Sequence, residues 1–503
     1  MTKQDLRLFM LCIITGILAG LIVIPFRYIL AEMYGLRSEL FSHSYGWAMH
    51  ILIIAIMWIV AMAIMKWVIK IPDIAGSGIP QTAEIIDGRL KVEHPVKKII
   101  TKFIGGVLSI GMGLSLSRGG PSVEIGGLAG KIVGNKSKSN SAVQHYIQTA
   151  GGAAGMSAAF TSPLSATLFF LEGISHFSSV KIAISAFLAS GVAGWMAYYA
   201  FPVNKYAGLS SAMPGGVSIP LTIILFMAFA LIISFAGKLF NYSIISFQKY
   251  NRRLKIPLWV KILALVTLTY IIGYDFPSLL SDGEDFLIGH ESSVISFYLL
   301  IGLIIIKIFL TAICYSFGFP GGIFLPLLVI GGLIGKSFGM MLMDAGIIAT
   351  TNYGFFIVLG MASMFASSIR TPVTSILFTV EVTQQFSAML AMIIFVGMTY
   401  FISEMIRTKP IYESLYYNLI PEKDKTPFKH IDVDFILSPK SFMNGKKAGS
   451  ITLPAGCKII AVARKDKPIP LQSVLMPDDV IKISVPSDEL EHIYVSLQSL
   501  ADN

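Results

Sequence analysis

Three glycine-rich breaks interrupt the apolar runs of this chain: GSGIP at 76–80, SRGGPSV at 117–123 and GFPGGIFLP at 318–326. Each places Gly and Pro just before or inside the first turn of an apolar helical segment. That arrangement exposes N–H groups with no intrahelical acceptor at the positive end of a helix dipole. Aimed at one point, such ends hold an anion through partial charges, without a full positive charge that would keep it from leaving. One break carries little weight; three carry much more. No catalytic constellation accompanies them, since there is no phosphate-binding loop, no metal-spaced His/Cys cluster and no nucleophile elbow. The chain is therefore not expected to be an enzyme. Cys12, Cys314 and Cys457 are scattered, so neither disulfides nor structural zinc are expected.

The elements that must position these breaks are membrane helices. Of the 503 residues, 54% are hydrophobic and only 14% charged, and the mean hydropathy is +0.72, values outside the soluble range. Uncharged stretches at 8–26, 47–65, 182–201, 216–237 and 386–403 are each long enough to cross roughly 30 Å of hydrocarbon. The first is read as a retained helix, not a cleaved signal, because it is long, follows the polar MTKQDLR and lacks a small-residue cleavage site. The runs at 104–116 and 262–274 are shorter, about 20 Å of helix each. Broken helices at membrane depth are tolerated where protein or a water-filled cavity satisfies the freed backbone, so they point to a pathway. The net charge of +10 belongs to bases that border apolar runs, such as KYNRRLK at 249–255 and Arg407 with Lys409. This is the positive-inside pattern; it predicts a plasma-membrane protein with a cytoplasmic C-terminus and no nucleic-acid partner.

A weak internal repeat aligns 151–172 with 360–381, pairing Gly151 with Gly360, Pro163 with Pro372, Phe169 with Phe378 and Glu172 with Glu381. Upstream, GGPSVEIGG at 119–127 echoes GGIFLPLLVIGG at 321–332. Duplicated halves place a binding site where they meet. Past Pro421 the composition turns polar. The expected organisation is a transmembrane domain over 1–420, a linker at 421–430 and a small α+β domain over 431–503. In that last domain 457–464 and 480–485 read as strands, and a closing helix follows Ser487. About 75 residues give a marginal core, which dimerisation would help.

The combination of GSGIP, RGGPSVEIGG, GGIFLP and KPIYESL resembles the CLC family of chloride channels and chloride/proton antiporters, over about residues 10–415. The resemblance implies an all-α polytopic membrane fold, an inverted repeat of tilted and broken helices, assembled in the lipid bilayer as a homodimer with one pore per subunit. Its permeant ion is chloride, and no cofactor is required. Ser77 and Tyr412 fall on the family's central-site serine and pore tyrosine. Ile323 and Phe324 fall on its amide donors in the second half, and Arg118, Gly119 and Gly120 on those of the first, with Arg118 expected mainly to form ion pairs whose field assists the pore. Ser77 points to chloride, because fluoride- or nitrate-selective members usually differ there.

Two departures bear on mechanism. Where the resemblance places a gating glutamate stands Gly119, and where it places the internal proton-transfer glutamate stands Gly173. Proton movement through a dry protein needs titratable groups within exchange distance. The expected activity is therefore passive, uncoupled chloride passage with an open outer site. The rivals are an exchanger using Glu124, Glu172 and His176, and a non-conducting membrane-bound sensor. Against the exchange route, Glu124 reads better as a buried structural acid paired with a neighbour and His176 as an interfacial or loop histidine, and Glu381, by the repeat, reads as structural too. The tail resembles the TrkA-C type regulatory subdomain. That implies a cyclic di-AMP site with Arg464 on phosphate and Ala461, Ile469 and Pro470 as its apolar wall, or else a domain that only dimerises.

Overall fold

The structure, a computed structural model, describes residues 3–501 except 42–44, 87–89, 91, 140, 175–179, 202–205, 207–217, 290–294, 349–352, 420–429, 465–466, 487–495 and 498–499. Among the described residues, 8 helices are long and apolar enough to cross a membrane. The first half contains α1 (Lys3–Leu40), α2 (Trp47–Lys70), α3 (Ile79–Ile86), α4 (Pro95–Gly111), α5 (Gly119–Lys136), α6 (Ser141–Phe160), α7 (Pro163–Phe169) and α8 (Val180–Ala200). A π-helical turn, Phe170–Ile174, prolongs α7. The second half contains α9 (Ile219–Arg253), α10 (Leu258–Asp275), α11 (Glu284–Ile288), α12 (Phe297–Ser316), α13 (Phe324–Asp344), α14 (Tyr353–Ile369), α15 (Pro372–Thr383), α16 (Met389–Met405) and α17 (Ile411–Leu419). The run at 262–274, expected to be short, is a full candidate span of 18 residues, because α10 starts earlier, at Leu258. Of the helices that begin at the breaks, α3 is short, with 8 residues, whereas α5 and α13 run unbroken for 18 and 21 residues, so the Gly and Pro mark where these helices start and do not interrupt them.

The repeat is visible in the packing. Helices α5 and α6 cross where Gly126 meets Gly151, so closely that a methyl on either would overlap the other's carbonyl; α13 and α14 cross in the same way at Gly331 and Gly360. Small residues let backbones approach, the usual way helices associate in membranes. The repeat's two acids complete the symmetry by exchanging caps. Glu172 Oε1 accepts from Val373 N at 3.2 Å, and its Oε2 accepts from Thr374 N at 2.8 Å and Thr374 Oγ1 at 2.6 Å, at the start of α15. Glu381 Oε1 accepts from Leu164 N at 3.0 Å, and its Oε2 from Ser165 N at 2.8 Å and Ser165 Oγ at 2.6 Å, at the start of α7. Both capped helices begin with proline, and each cap contributes roughly 1 kcal/mol. The acids are thus fasteners between halves.

The tail forms a four-stranded antiparallel sheet of order β1-β4-β2-β3, with β1 (His430–Ile436), β2 (Lys458–Arg464), β3 (Lys467–Ile469) and β4 (Val480–Pro486). Phe435, Val462, Ile481, Ile483 and Val485 form its core. Strand β1 was not expected; it begins at the last residue of the predicted linker, whose other residues lie outside the described ones. Of the expected closing helix, 496–497 and 500–501 are helical, and Ser487 lies outside the described residues.

Candidate functional site

The three breaks are hydrogen-bonded to one another. Ser117 and Gly322 exchange N–H···O bonds of 2.8 Å each, a bridge across the repeat. Gly76 N donates to Gly318 O at 3.1 Å, and Gly321 N donates to Gly76 O at 3.0 Å. This stitching brings the starts of α3, α5 and α13 to one place. A Cβ on Gly322 would lie 2.9 Å from Gly120 N, one on Gly119 would lie 3.5 Å from Phe324 Cβ, and one on Gly120 would overlap the Ser77 carbonyl and hydroxyl. Glycine at 120 is therefore required by close approach. The first-turn amides of Gly119, Gly120 and Phe324, with the preceding Ile323, stand around this point without intrahelical acceptors.

Two hydroxyls enter the same place. Ser77 Oγ and Tyr412 Oη are buried and adjacent, yet neither has a hydrogen-bond partner of acceptable geometry. Buried polar groups left without partners are costly unless something absent from the structure completes them. Two hydroxyl donors beside helix N-termini fit an anion that sheds part of its water. Sequence reasoning missed Tyr315, a buried tyrosine whose hydroxyl lies 3.2 Å from where a Cβ of Gly76 would be, beside the loop that carries Ser77.

Beneath Ser77 lies a buried ion pair. Lys102 Nζ is 2.7 Å from Glu124 Oε2, with the two side chains 0% and 1% exposed. The ammonium also donates to Ile74 O and Gly76 O, each at 2.9 Å. Three oxygens on one ammonium fix the loop that carries Ser77. Glu124 is thereby structural, as one of its two readings held. Lys102, the last of the three lysines of α4 and the one next to its apolar stretch, was the available signal for its partner.

The other expected residues divide. The Arg118 side chain is committed to ion pairs, as expected of it: its Nη1 is 3.3 Å from Asp282 Oδ2, its Nη2 3.6 Å from Glu284 Oε2, and its Nε donates to Ala159 O at 3.2 Å. The acids draw the guanidinium because a buried cation must be paired. Gly119 does not leave an open site. A Cβ there would lie 2.8 Å from Phe160 Cζ and 3.0 Å from its Cε2, so an aromatic ring fills the room. At Gly173 a Cβ would meet Thr371 Cγ2 at 3.0 Å and the Phe169 ring at 3.5 Å. His176 lies outside the described residues.

In the tail, Arg464 is engaged internally. Its Nε and Nη2 fork onto Asp479 at 2.8 Å each, and Nη2 also donates to Val474 O at 2.7 Å. The Asp479 hydrogen bond holds the guanidinium above its ordinary pKa. The expected phosphate contact is not supported by this geometry. Ala461 and Pro470 are exposed, and Ile469 is half-buried.

Comparison with known proteins agrees with this architecture. A family model described as voltage gated chloride channel matches residues 57–404. The H(+)/Cl(-) exchange transporter ClcA of Klebsiella pneumoniae (strain ATCC 700721 / MGH 78578) is 27% identical over 440 residues, 84% of this chain and 91% of the relative. The same-named transporter of Citrobacter koseri is 28% identical over 438 residues, 84% of this chain and 90% of its own length. Among solved structures, a slow cyanobacterial Cl−/H+ antiporter superposes with a TM-score of 0.74 at 24% identity, covering 82% of this chain and 98% of that one. A CLC-type fluoride/proton antiporter gives 0.65 at 25% identity, with the same coverage.

Proposed function

Because the chain belongs to the voltage-gated chloride channel (CLC) family, we propose that it passes chloride through a membrane without moving protons in exchange. The exchange transporters and the cyanobacterial antiporter named above couple chloride movement to protons, and the fluoride antiporter couples fluoride to them. The observation that supports uncoupling here is the pair of glycines, Gly119 and Gly173, each with apolar carbons as the atoms nearest to where a Cβ would be. Phe160 stands against Gly119, and Thr371 with Phe169 against Gly173. The acids invoked for a rival exchange route are committed, Glu124 to Lys102 and Glu172 to the start of α15. A proton wire needs groups free to gain and lose protons in turn, and these two are fixed in ion-pair and capping roles.

Chloride itself would sit among the amides of Gly119, Gly120, Ile323 and Phe324 and the hydroxyls of Ser77 and Tyr412. Lys249, Arg252, Arg253, Lys255, Arg407 and Lys409 favour a cytoplasmic position for the tail in a plasma-membrane protein, and the family habit favours a homodimer. For the tail, the exposed Ala461 and Pro470 around Ile469 are what supports a cyclic di-AMP site, and binding there would have to open the Arg464–Asp479 fork. Without such a ligand the domain steadies the assembly.

The reading is tested in a planar bilayer or vesicles holding opposed chloride and proton gradients. The expected reversal potential follows chloride alone, about 59 mV per tenfold gradient, and does not move when only the proton gradient is changed. A shift of the reversal potential with pH, or uphill proton movement driven by chloride, defeats it.

A further inference from the structure

We propose that the ring of Phe160 is the barrier on the anion's route, a side-chain gate that lies across the starts of α5 and α13 and must rotate for each passage. This rests on the reading that chloride passes between those helix ends. The ring's position is defined by four contacts. Its Cζ is 2.8 Å from where a Cβ of Gly119 would be. It stacks on Phe324, the first residue of α13, with centroids 5.4 Å apart and 23° between planes, and meets Phe378 edge-on at 5.2 Å. The Arg118 guanidinium lies 5.4 Å from its centroid.

Phe160 is only 6% exposed, with the Arg118 guanidinium against one part of its ring and Phe324, whose amide belongs to the proposed anion seat, stacked on it. An apolar ring at that point excludes water, and a dewetted constriction opposes a hydrated ion without binding it. The backbone beneath the ring is held. Arg118 Nε donates to Ala159 O at 3.2 Å, and Arg27 Nη1 donates to Thr161 Oγ1 at 2.9 Å. Thr161 has a φ of 58°, in the left-handed region, where α6 ends. With the chain fixed on both sides, rotation about the Phe160 side-chain bonds is the motion left to open the path. Glycine at 119 gives that rotation room, since any Cβ there would already overlap the ring.

The test measures initial chloride efflux from proteoliposomes of the full-length protein, with a potassium ionophore balancing charge, for wild type, Phe160→Ala, Phe160→Leu and Phe160→Trp. Chloride affinity is measured alongside by titration calorimetry. The expected result is efflux raised about tenfold in the alanine variant, less in leucine, and lowered in tryptophan, while chloride affinity stays within about twofold. A part played only in packing would lower flux in every variant along with thermal stability. Should Phe160→Ala fail to give a monodisperse protein, the Leu and Trp variants carry the test with the same ordering. Efflux equal to wild type in the folded variants, or lower in all of them, overturns the gate and leaves the conduction reading standing. No efflux from wild type or any variant, with chloride binding intact, overturns the conduction reading itself.

Discussion

Glutamate at position 119 should cut chloride flux at neutral pH roughly ten- to thirtyfold, and acidification should restore it. A Cβ there collides with Phe160 Cζ and Cε2 at 2.8 and 3.0 Å, so the ring must swing aside, which the end of a flexible side chain can do. The carboxylate then lies among the first-turn amides of α5 and α13, where an anion already has its seat. A charge at a helix N-terminus gains up to about 2 kcal/mol in partly buried geometry. At about 1.4 kcal/mol per factor of ten, that tether displaces free chloride over the stated range. Lowering the pH protonates the carboxylate and removes its claim on the amides, so flux rises as pH falls. Efflux at pH 7.5 and 4.5 for Gly119→Glu against wild type measures both. A variant with wild-type flux and a flat pH response would mean that residue 119 does not face the anion.

Removing Lys102 should be the most damaging single change to the folded protein. Lys102→Met leaves Glu124 as an unpaired buried charge and strips the donor from Ile74 O and Gly76 O. Breaking a buried pair from one side costs about 3–5 kcal/mol. The loop carrying Ser77 then loses the bonds that fix its orientation, so chloride affinity should fall with stability. Thermal unfolding in detergent, followed by size-exclusion fluorescence, reports the loss. Adding Glu124→Gln to Lys102→Met should recover part of it, because the stranded charge is what dominates the penalty. A Lys102→Met protein within about 0.5 kcal/mol of wild type, the scatter expected of an unimportant surface change, would show that the pair does not secure the loop.

Much of this site was legible before any coordinates. Gly and Pro at helix starts announce themselves, and the near-constant offset of Gly151, Pro163 and Glu172 from Gly360, Pro372 and Glu381 marked the two halves. What escaped was contact between distant segments. In the sequence Glu172 is a candidate for a proton route and Glu381 reads as structural without a partner, and only folding shows each capping the opposite half 201 to 217 positions away. Phe160 ends a run of mostly small residues and nothing local singles it out; its meaning depends on a missing side chain at position 119 of another helix. The resemblance implies anion roles for Arg118 and Arg464, yet both side chains are paired with carboxylates that no local pattern links to them. Strand β1 was hidden by the polar, proline-flanked stretch before it, although Ile431, Val433 and Phe435 alternate as a half-buried strand should.

The claim on which the rest depends is that a dehydrated halide is seated by converging main-chain amides and two hydroxyls, with no carboxylate competing for the place. A crystal grown in bromide, with data collected at the bromine edge, tests it directly. The account predicts an anomalous peak within hydrogen-bond reach of Ser77 Oγ and Tyr412 Oη, with Gly119, Gly120, Ile323 and Phe324 amides facing the same path. No peak there, or a peak found only elsewhere in the protein, would contradict it.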